Sequence, residues 1–227
     1  MMETDPPQAD LDHVEVWIFD LDNTLYPADC DLFAQIDRKM GEFIGELFSI
    51  DRVEAKTIQK DYFRRHGTTL RGLMVEHGLD PSRFLDYVHD IDLTPVPPSP
   101  DLDRALGRLE GRKLVFTNGS VPHAERVMDR LGVAHHFEAV FDIVASDYIP
   151  KPDPQPYRKF VDQFGVDPNA AAMFEDIPRN LAPAAALGMT TVWVPGNPNW
   201  VDQDADDDHI HHVADDLAAW LDALKPA

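Results

Sequence analysis

The sequence predicts an α/β fold in which a Rossmann-like parallel sheet carries an inserted helical cap domain. Short apolar runs alternate with amphipathic helical segments from residue 102 onward, a rhythm typical of a parallel sheet covered on both faces. An earlier apolar run at residues 14–19 is followed by helical patterns alone. A proline-rich stretch at residues 94–101 then separates these helices from the alternating part.

Each strand of the predicted sheet is a short apolar run that ends at polar or turn-forming residues. The predicted strands are residues 14–19, 113–116, 140–144, 171–174 and 190–194. The predicted helices of the core are residues 102–109, 122–131, 156–164, 180–187 and 213–224.

The inserted segment has the pattern of amphipathic helices. Its apolar residues recur at steps of three and four, which predicts one buried helix face; they are Leu32, Ile36, Met40, Phe43 and Leu47. Further helical patterns cover residues 70–76 and 82–88. We therefore predict a catalytic core at residues 12–27 and 99–227 and a helical cap domain at residues 28–98.

The composition restricts the partners of the protein. Among 227 residues, 41 are acidic and 20 are basic, which gives a formal net charge of −21. Nucleic-acid polymers and anionic membranes bind through lysine and arginine, so we expect neither as a partner. Cys30 is the single cysteine and excludes an intrachain disulfide. Since the amino-terminal segment does not resemble a secretory signal, we expect a cytoplasmic location.

Two acidic residues after the first strand carry the strongest functional signal. Asp20 and Asp22 end the apolar run in VWIFDLDNTLYP. A buried carboxylate is costly unless it is paired or binds a metal. The pattern therefore indicates a cation site, a nucleophile, or a general acid beside a nucleophile. The alternative interpretation is a solvated turn in which an aspartate caps the next helix.

Polar residues also follow three other predicted strands. They are Thr117, Asn118 and Gly119 after the second strand, Lys151 after the third and its loop, and Glu175 and Asp176 after the fourth. Because ligands of open parallel sheets bind beyond the carboxyl ends of the strands, we expect these residues to meet Asp20 and Asp22. Taken singly, each group also fits a helix cap, a turn or an ordinary loop lysine.

The residue types together suit a phosphate and a magnesium ion. Mg²⁺ is a hard cation that prefers oxygen ligands, and the carboxylates supply them. The hydroxyl and the amides of residues 117–119 suit phosphate oxygens at a helix start. Lys151 offers a compact positive charge that restrains Asp20 and balances a phosphate.

Four motifs resemble those of the haloacid dehalogenase superfamily of phosphohydrolases. They are, in order, FDLDNTLYP, TNGS, KPDP with Lys151, and EDIPRN. The fourth has Glu175 where the family commonly has glycine. The resemblance covers nearly the whole chain, and the inserted helices match the position of the family's cap after the first motif.

The resemblance implies a phosphatase mechanism. Asp20 is expected to attack phosphorus and form an aspartyl-phosphate, and Asp22 to protonate the leaving alkoxide and then activate water. Mg²⁺ would be held by Asp20, the backbone carbonyl of Asp22, and Asp176. Glu175 would contribute without binding the ion directly, by contacting these ligands or through a water. The residues expected to hold phosphoryl oxygens are Thr117, Asn118, Gly119 and Lys151.

Further strings suggest the substrate. DNTLYP, HGTTLRGLM and VHDID are similar to the pyrimidine 5′-nucleotidase-like branch of the superfamily. A pyrimidine nucleoside 5′-monophosphate is therefore the expected substrate, selected by the cap residues His66, Thr68 and Arg71. Other small phosphate esters, such as a sugar phosphate or phosphoglycolate, are the alternative. The protein is expected to act on a small molecule as a monomer or homodimer.

Three other activities share part of these motifs. A haloacid dehalogenase would use Asp20 on carbon without a metal and would need neither Asp22 nor Asp176. A phosphomutase shares all four motifs. A signalling receiver domain also combines a strand-end aspartate, a threonine, a lysine and Mg²⁺, but it would lack the Asp-x-Asp pair and the inserted helices.

Overall fold

Strand β1 (Val16–Phe19) lies inside a parallel sheet in the computed structural model, which describes residues 11–196 and 207–224. The other strands are β2 (Arg112–Phe116), β3 (Ala139–Phe141), β4 (Ala171–Glu175), β5 (Thr190–Trp193) and β6 (His212–Val213). Their order across the sheet is β3-β2-β1-β4-β5-β6, and each neighbouring pair is parallel. The predicted α/β class with a Rossmann-like parallel sheet is confirmed.

Helices connect the strands, as parallel pairing requires. Those of the core are α5 (Pro100–Arg108), α6 (Val121–Leu131), α7 (Pro154–Phe164), α8 (Pro178–Leu187) and α9 (Leu217–Asp222). Those between β1 and α5 are α1 (Leu32–Phe48), α2 (Arg52–His66), α3 (Thr69–His77) and α4 (Pro81–His89). Across the described ranges, no helix combines the length and the apolar character needed to span a bilayer.

Different helices cover the two faces of the sheet, because side chains alternate along each strand. Trp17 and Phe19 share an apolar cluster with residues of α5, α6 and α9. Val16 and Ile18 share another cluster with residues of α7 and α8. Ile18 and Phe19 are 0% exposed, and full burial of such a side chain contributes about 1.5–3 kcal/mol. The central strand is thus held rigidly from both sides.

The inserted helices pack on one another and on the core. Helix α1 contacts α2 and α4, and α2 contacts α3. Leu32, Phe43 and Phe84 of these helices belong to the same apolar cluster that covers one face of the sheet. The helical character of this segment is confirmed, and its treatment as a separate domain at residues 28–98 stays a prediction.

The helix predicted at residues 213–224 begins later than expected. Val213 pairs with Trp193 as part of β6, a strand that the apolar pattern did not predict. Helix α9 then starts after Asp216, whose side chain accepts the Ala219 N–H. Val213, which the apolar pattern assigned to a helix, therefore lies in an edge strand paired with β5.

The strand predicted at residues 140–144 is shorter than expected and ends at Phe141. The next residue, Asp142, accepts the Val121 N–H with one carboxylate oxygen and the Ala145 N–H with the other. These two bonds turn the chain away from the sheet and tie it to the start of α6.

Candidate active site

The candidate site lies where the order of the strands reverses. β1 pairs with β2 on one side and with β4 on the other, and open parallel sheets bind ligands at this crevice. The register sets Phe19 beside Val115 and Phe174. The residues that follow β1, β2 and β4 therefore lie at one edge of the sheet.

Lys151 is buried at this edge and joins two carboxylates. Its Nζ donates to Asp20 Oδ1 at 2.7 Å, to Glu175 Oε2 at 2.6 Å and to the Phe116 carbonyl at 2.8 Å. Burial tends to lower the pKa of Lys151, but Asp20 and Glu175 outweigh it and raise that pKa, so the ammonium stays charged. Since an ammonium has three donors, a phosphate oxygen would have to displace one of these acceptors.

Asp20, Glu175 and Asp176 form a buried cluster in which carboxylate oxygens lie within 4.8 Å of one another. The three residues are 6%, 1% and 5% exposed. Burial and the charge of Glu175 raise the pKa of Asp20 to about 7, even beside Lys151. Burial, Glu175 and Asp20 raise the pKa of Asp176 well above its ordinary value. The cluster is therefore short of positive charge.

The three carboxylates of this cluster differ in how many of their oxygens already accept hydrogen bonds. Glu175 is engaged by Lys151 and by the Ile177 N–H at 3.2 Å. Asp176 accepts from the Asn23 amide at 3.5 Å and shares a hydrogen bond with the Glu175 carboxyl group. Asp20 and Asp176 are thus the carboxylates with oxygen lone pairs left for a cation. An oxygen-only donor set with excess negative charge fits a divalent ion of the Mg²⁺ type.

The turn between β2 and α6 offers two donors to an anion. The Thr117 hydroxyl accepts the Gly119 N–H at 2.9 Å, and its own proton has no acceptor within the described residues. The Asn118 side chain is occupied, because its Oδ1 accepts the Lys151 backbone N–H at 2.9 Å. The backbone N–H of Asn118 has no acceptor in the part of the chain that the structure describes. Thr117 and Asn118 therefore remain as donors, whereas the Gly119 N–H is already used.

Asp22 has a different environment from Asp20. Its Oδ1 accepts the Tyr26 hydroxyl at 2.6 Å and lies 2.9 Å from His123 Nε2. Burial tends to raise the pKa of Asp22, but His123 and Tyr26 outweigh it and lower that pKa. The Asp22 carboxylate is thus ionised when no ligand is bound, and its Oδ1 accepts a hydrogen bond from the Nε2–H of His123.

His123 and His89 belong to the site but were not predicted. Their rings stack with centroids 4.4 Å apart and planes 7° apart. Burial and the neighbouring His123 lower the pKa of His89 to about 3, so this ring is neutral. The sequence holds one signal for His123, which is its place in the first turn of the helix that follows TNGS. His89 ends α4 and has no comparable signal.

The predicted substrate residues of the inserted helices lie around the turn between α2 and α3. His66 Nε2 lies 2.8 Å from Glu76 Oε1. Thr68 caps α3 by accepting the Arg71 backbone N–H at 3.1 Å. His66 and Thr68 thus have structural partners within the inserted helices, which leaves Arg71 as the residue directed toward the core.

This turn rests on the loop that carries Lys151. The Arg71 guanidinium donates to the Tyr148 carbonyl at 3.5 Å. Gly67 has φ +83°, and a Cβ on it would lie 2.9 Å from Pro150 Cγ. Glycine is therefore needed here both for the backbone conformation and for the close approach. The inserted helices contact the core next to the buried lysine.

Curated relatives share part of this sequence. Phosphate metabolism protein 8 of Saccharomyces cerevisiae is 28% identical over 210 residues, or 82% of this chain and 64% of that protein. A phosphoglycolate phosphatase of Rhodospirillum rubrum is 32% identical over 116 residues, covering 49% and 47%. A phosphoserine phosphatase of Thermus thermophilus is 36% identical over 102 residues, covering 44% and 41%. The chain spans less than two thirds of the length of each relative.

Solved structures share the fold at low sequence identity. A HAD phosphatase from Thermococcus onnurineus matches with a TM-score of 0.59 and 18% identity, covering 88% of this chain and 93% of that one. A 2-haloacid dehalogenase from Pseudomonas syringae pv. Tomato matches with a TM-score of 0.54 and 23% identity, covering 92% and 97%. These likenesses support the fold and do not separate the two chemistries.

A family model gives the assignment. The model described as haloacid dehalogenase-like hydrolase matches residues 14–188. This range includes each strand-end group described above, from Asp20 to Asp176. The chain belongs to the haloacid dehalogenase-like hydrolase family.

Proposed function

We propose that the protein is a Mg²⁺-dependent phosphatase that hydrolyses small phosphate monoesters through an aspartyl-phosphate. The observation that carries this proposal is the excess of buried carboxylate where the strand order reverses. Lys151 pairs with Asp20 and Glu175, and Asp176 adds a third carboxylate beside them. Asp22 lies two residues from Asp20 with donors of its own. Phosphoryl transfer requires such positioning and charge neutralisation more than elaborate bond chemistry.

The residues divide the reaction into two steps. In the first, a carboxylate oxygen of Asp20 bonds to phosphorus, the ester P–O bond breaks, and Asp22 gives its proton to the leaving alkoxide. In the second, Asp22 takes a proton from water, the water oxygen bonds to phosphorus, and the bond to Asp20 breaks. Inorganic phosphate is released and Asp20 is restored. The free donors of Thr117 and Asn118 would hold phosphoryl oxygens during both steps.

The metal proposal follows from the charge of the cluster. Asp20, Asp176 and the backbone carbonyl of Asp22 would hold Mg²⁺. When bound, the ion would reduce the repulsion between an anionic nucleophile and an anionic ester. Lys151 would keep Asp20 and Glu175 in place, and its positive charge would remain within the site.

A pyrimidine nucleoside 5′-monophosphate is the proposed substrate. The support is the resemblance of the first motif and of the α2–α3 turn to the pyrimidine nucleotidase-like branch. Arg71 lies beside the Lys151 loop, where its guanidinium would contact the leaving group of a bound ester. A cap role for α1–α4 rests on the same contact and would exclude water when these helices are seated.

Specific residues disfavour the dehalogenase alternative, whereas an assay is needed to separate the phosphomutase alternative. A dehalogenase has no use for Asp22, yet Tyr26 and His123 both hold this carboxylate. Two of the relatives are named phosphatases, which favours phosphate esters. A phosphomutase would use the same residues, and its activity would require a bisphosphate activator.

A substrate panel with and without Mg²⁺ tests the proposal. UMP, CMP, phosphoglycolate, a hexose phosphate and p-nitrophenyl phosphate are assayed for phosphate release, and a 2-haloacid for halide release. Wild-type protein should hydrolyse phosphate esters only with Mg²⁺, with the highest kcat/KM for UMP or CMP. The Asp20→Asn variant, purified identically, measures contamination. Hydrolysis of hexose phosphate but not UMP or CMP would remove the nucleotidase proposal alone. Equal activity of the Asp20→Asn variant would remove the phosphatase proposal.

A further inference from the structure

The Asp22 carboxylate is held through only one of its oxygens. Tyr26 and His123 both bond Oδ1, and Oδ2 has no donor within the described residues. A Cβ on Gly119 would lie 3.6 Å from Oδ2, so the missing side chain of Gly119 leaves space beside this oxygen. The two bonds to Oδ1 thus fix the carboxylate with Oδ2 available to exchange a proton.

His123 is not oriented by a second hydrogen bond. Its side chain is 0% exposed, and its Nδ1 is buried without a partner among the described residues. A ring nitrogen of a functional histidine is ordinarily fixed by the bond that the other nitrogen makes. Here the parallel stack on His89 takes that place. The ring that holds Asp22 therefore depends on packing by a residue of the inserted helices.

His89 is attached to the helix that carries His123. Its Nδ1 lies 2.9 Å from the Ser120 hydroxyl, directly before α6. Its backbone carbonyl accepts from Arg126 of α6 at 2.9 Å, and the same guanidinium donates to the Ile91 carbonyl at 3.1 Å. Helix α6 thus holds the end of the inserted helices one turn from the histidine that holds Asp22.

Resting on the proposed phosphatase function, we propose that His123 is a positioning residue for Asp22. We also propose that His89 makes this positioning depend on the packing of the inserted helices against α6. While α4 is seated on α6, the stack keeps the His123 Nε2–H on Asp22 Oδ1. When α4 moves away, the His123 ring is free to turn and Asp22 loses this donor. Proton delivery to a leaving group is thereby confined to the seated arrangement.

Two esters that differ in their leaving groups test the positioning role. An alkoxide needs a proton as it leaves, whereas p-nitrophenolate leaves without one. His123→Leu should lower kcat/KM for UMP, or for the best alkyl ester of the panel, by about 100-fold, the lower end for a general acid. The value for p-nitrophenyl phosphate should stay near wild type. His123→Gln, with an amide N–H in place of Nε2–H, should recover most of the alkyl activity.

The stack is tested by matched changes at His89. His89→Phe keeps a flat ring and should retain more alkyl-ester activity than His89→Ala. His89→Ala should lose activity on the alkyl ester more than on p-nitrophenyl phosphate, as His123→Leu does. Equal losses on both esters in His123→Leu, with no recovery in His123→Gln, would overturn the positioning role. Such a pattern would indicate a structural histidine only.

A spectrum separates this proposal from the phosphatase proposal. Long-range ¹H–¹⁵N NMR of the imidazoles needs no turnover. His89→Ala should shift the Nε2 resonance of His123, while His77→Ala, a change elsewhere in the inserted helices, should not. An unmoved His123 resonance would overturn the coupling. If no ester is hydrolysed, the phosphatase proposal and the positioning role fail together, and the spectrum alone decides the histidine stack.

Discussion

The Lys151 side and the His123 side of the site place two aspartates in opposite electrostatic surroundings. On the Lys151 side, burial and Glu175 raise the pKa of Asp20 to about 7. On the His123 side, the histidine and Tyr26 outweigh burial and lower the pKa of Asp22. Titratable neighbours whose pKa values are pushed apart are typical of sites that divide nucleophilic and acid–base roles.

Both shifts run against the first step of the proposed reaction, which needs Asp20 ionised and Asp22 protonated. A divalent cation beside Asp20 would lower its pKa, and a phosphate dianion beside Asp22 would raise the pKa of that group. The free site therefore does not hold the charge state in which the reaction proceeds. Its reacting charge state requires both ligands.

The largest effect is expected on the Lys151 side. Lys151→Met leaves Asp20 and Glu175 buried without a cation, and removal of one partner of a buried ion pair costs about 3–5 kcal/mol. Phosphatase activity should be lost with it. Without Lys151, which lowers the pKa of Asp20 in the wild-type protein, burial raises that pKa further and favours the protonated form. The loss of stability should therefore be larger at pH 8 than at pH 5, measured by urea unfolding.

The matched control is Lys159→Met. Lys159 pairs with Asp147 at 2.6 Å, but the two side chains are 39% and 64% exposed. An exposed pair contributes about 0.2–1 kcal/mol, so this variant should keep its activity and most of its stability. Similar losses in both variants would show that Lys151 has no special role on its side of the site.

Mg²⁺ binding should depend on pH because protons occupy its ligands. The pKa of Asp20 is about 7 and that of Asp176 is raised, so a cation must displace protons below neutral pH. Each displaced proton weakens the apparent affinity about tenfold per pH unit. Calorimetric titration should give tighter binding at pH 8 than at pH 6, and Asp176→Asn should abolish it. An affinity that is equal at both pH values would contradict the charge excess.

The smallest effect is expected at Arg71, where the inserted helices meet the Lys151 loop. Arg71→Ala should lower kcat/KM for UMP about tenfold, the effect of one hydrogen bond to a charged group of about 1.5 kcal/mol. The value for p-nitrophenyl phosphate should change little. Arg64→Ala, an exposed change on α2, is the control. Equal losses on both esters would mean that Arg71 has a structural role at the Tyr148 carbonyl and does not contact the leaving group.

The sequence predicted the strand-end carboxylates and Lys151 as a partner of Asp20, but it did not predict their other partners. Asp20 and Asp176 stand out because acids after buried strands need a reason, and parallel strands bring them to one edge. The engagement of Glu175 by Lys151 depends on the conformation of the loop that carries the lysine, which no spacing encodes. The stack of His89 on His123 joins two helices that are distant in the chain, so tertiary packing alone creates it. The edge strand β6 was missed because two residues are too few to show a period.

The most direct test of the central claim is trapping of the phosphoenzyme. Protein mixed with Mg²⁺ and the best ester of the panel is quenched in acid within one turnover, digested and analysed by mass spectrometry. One phosphoryl group should appear on Asp20, should be removed by hydroxylamine, and should be absent from the Asp20→Asn variant. Rapid turnover with no modified Asp20, or with the phosphoryl group on another residue, would contradict the account.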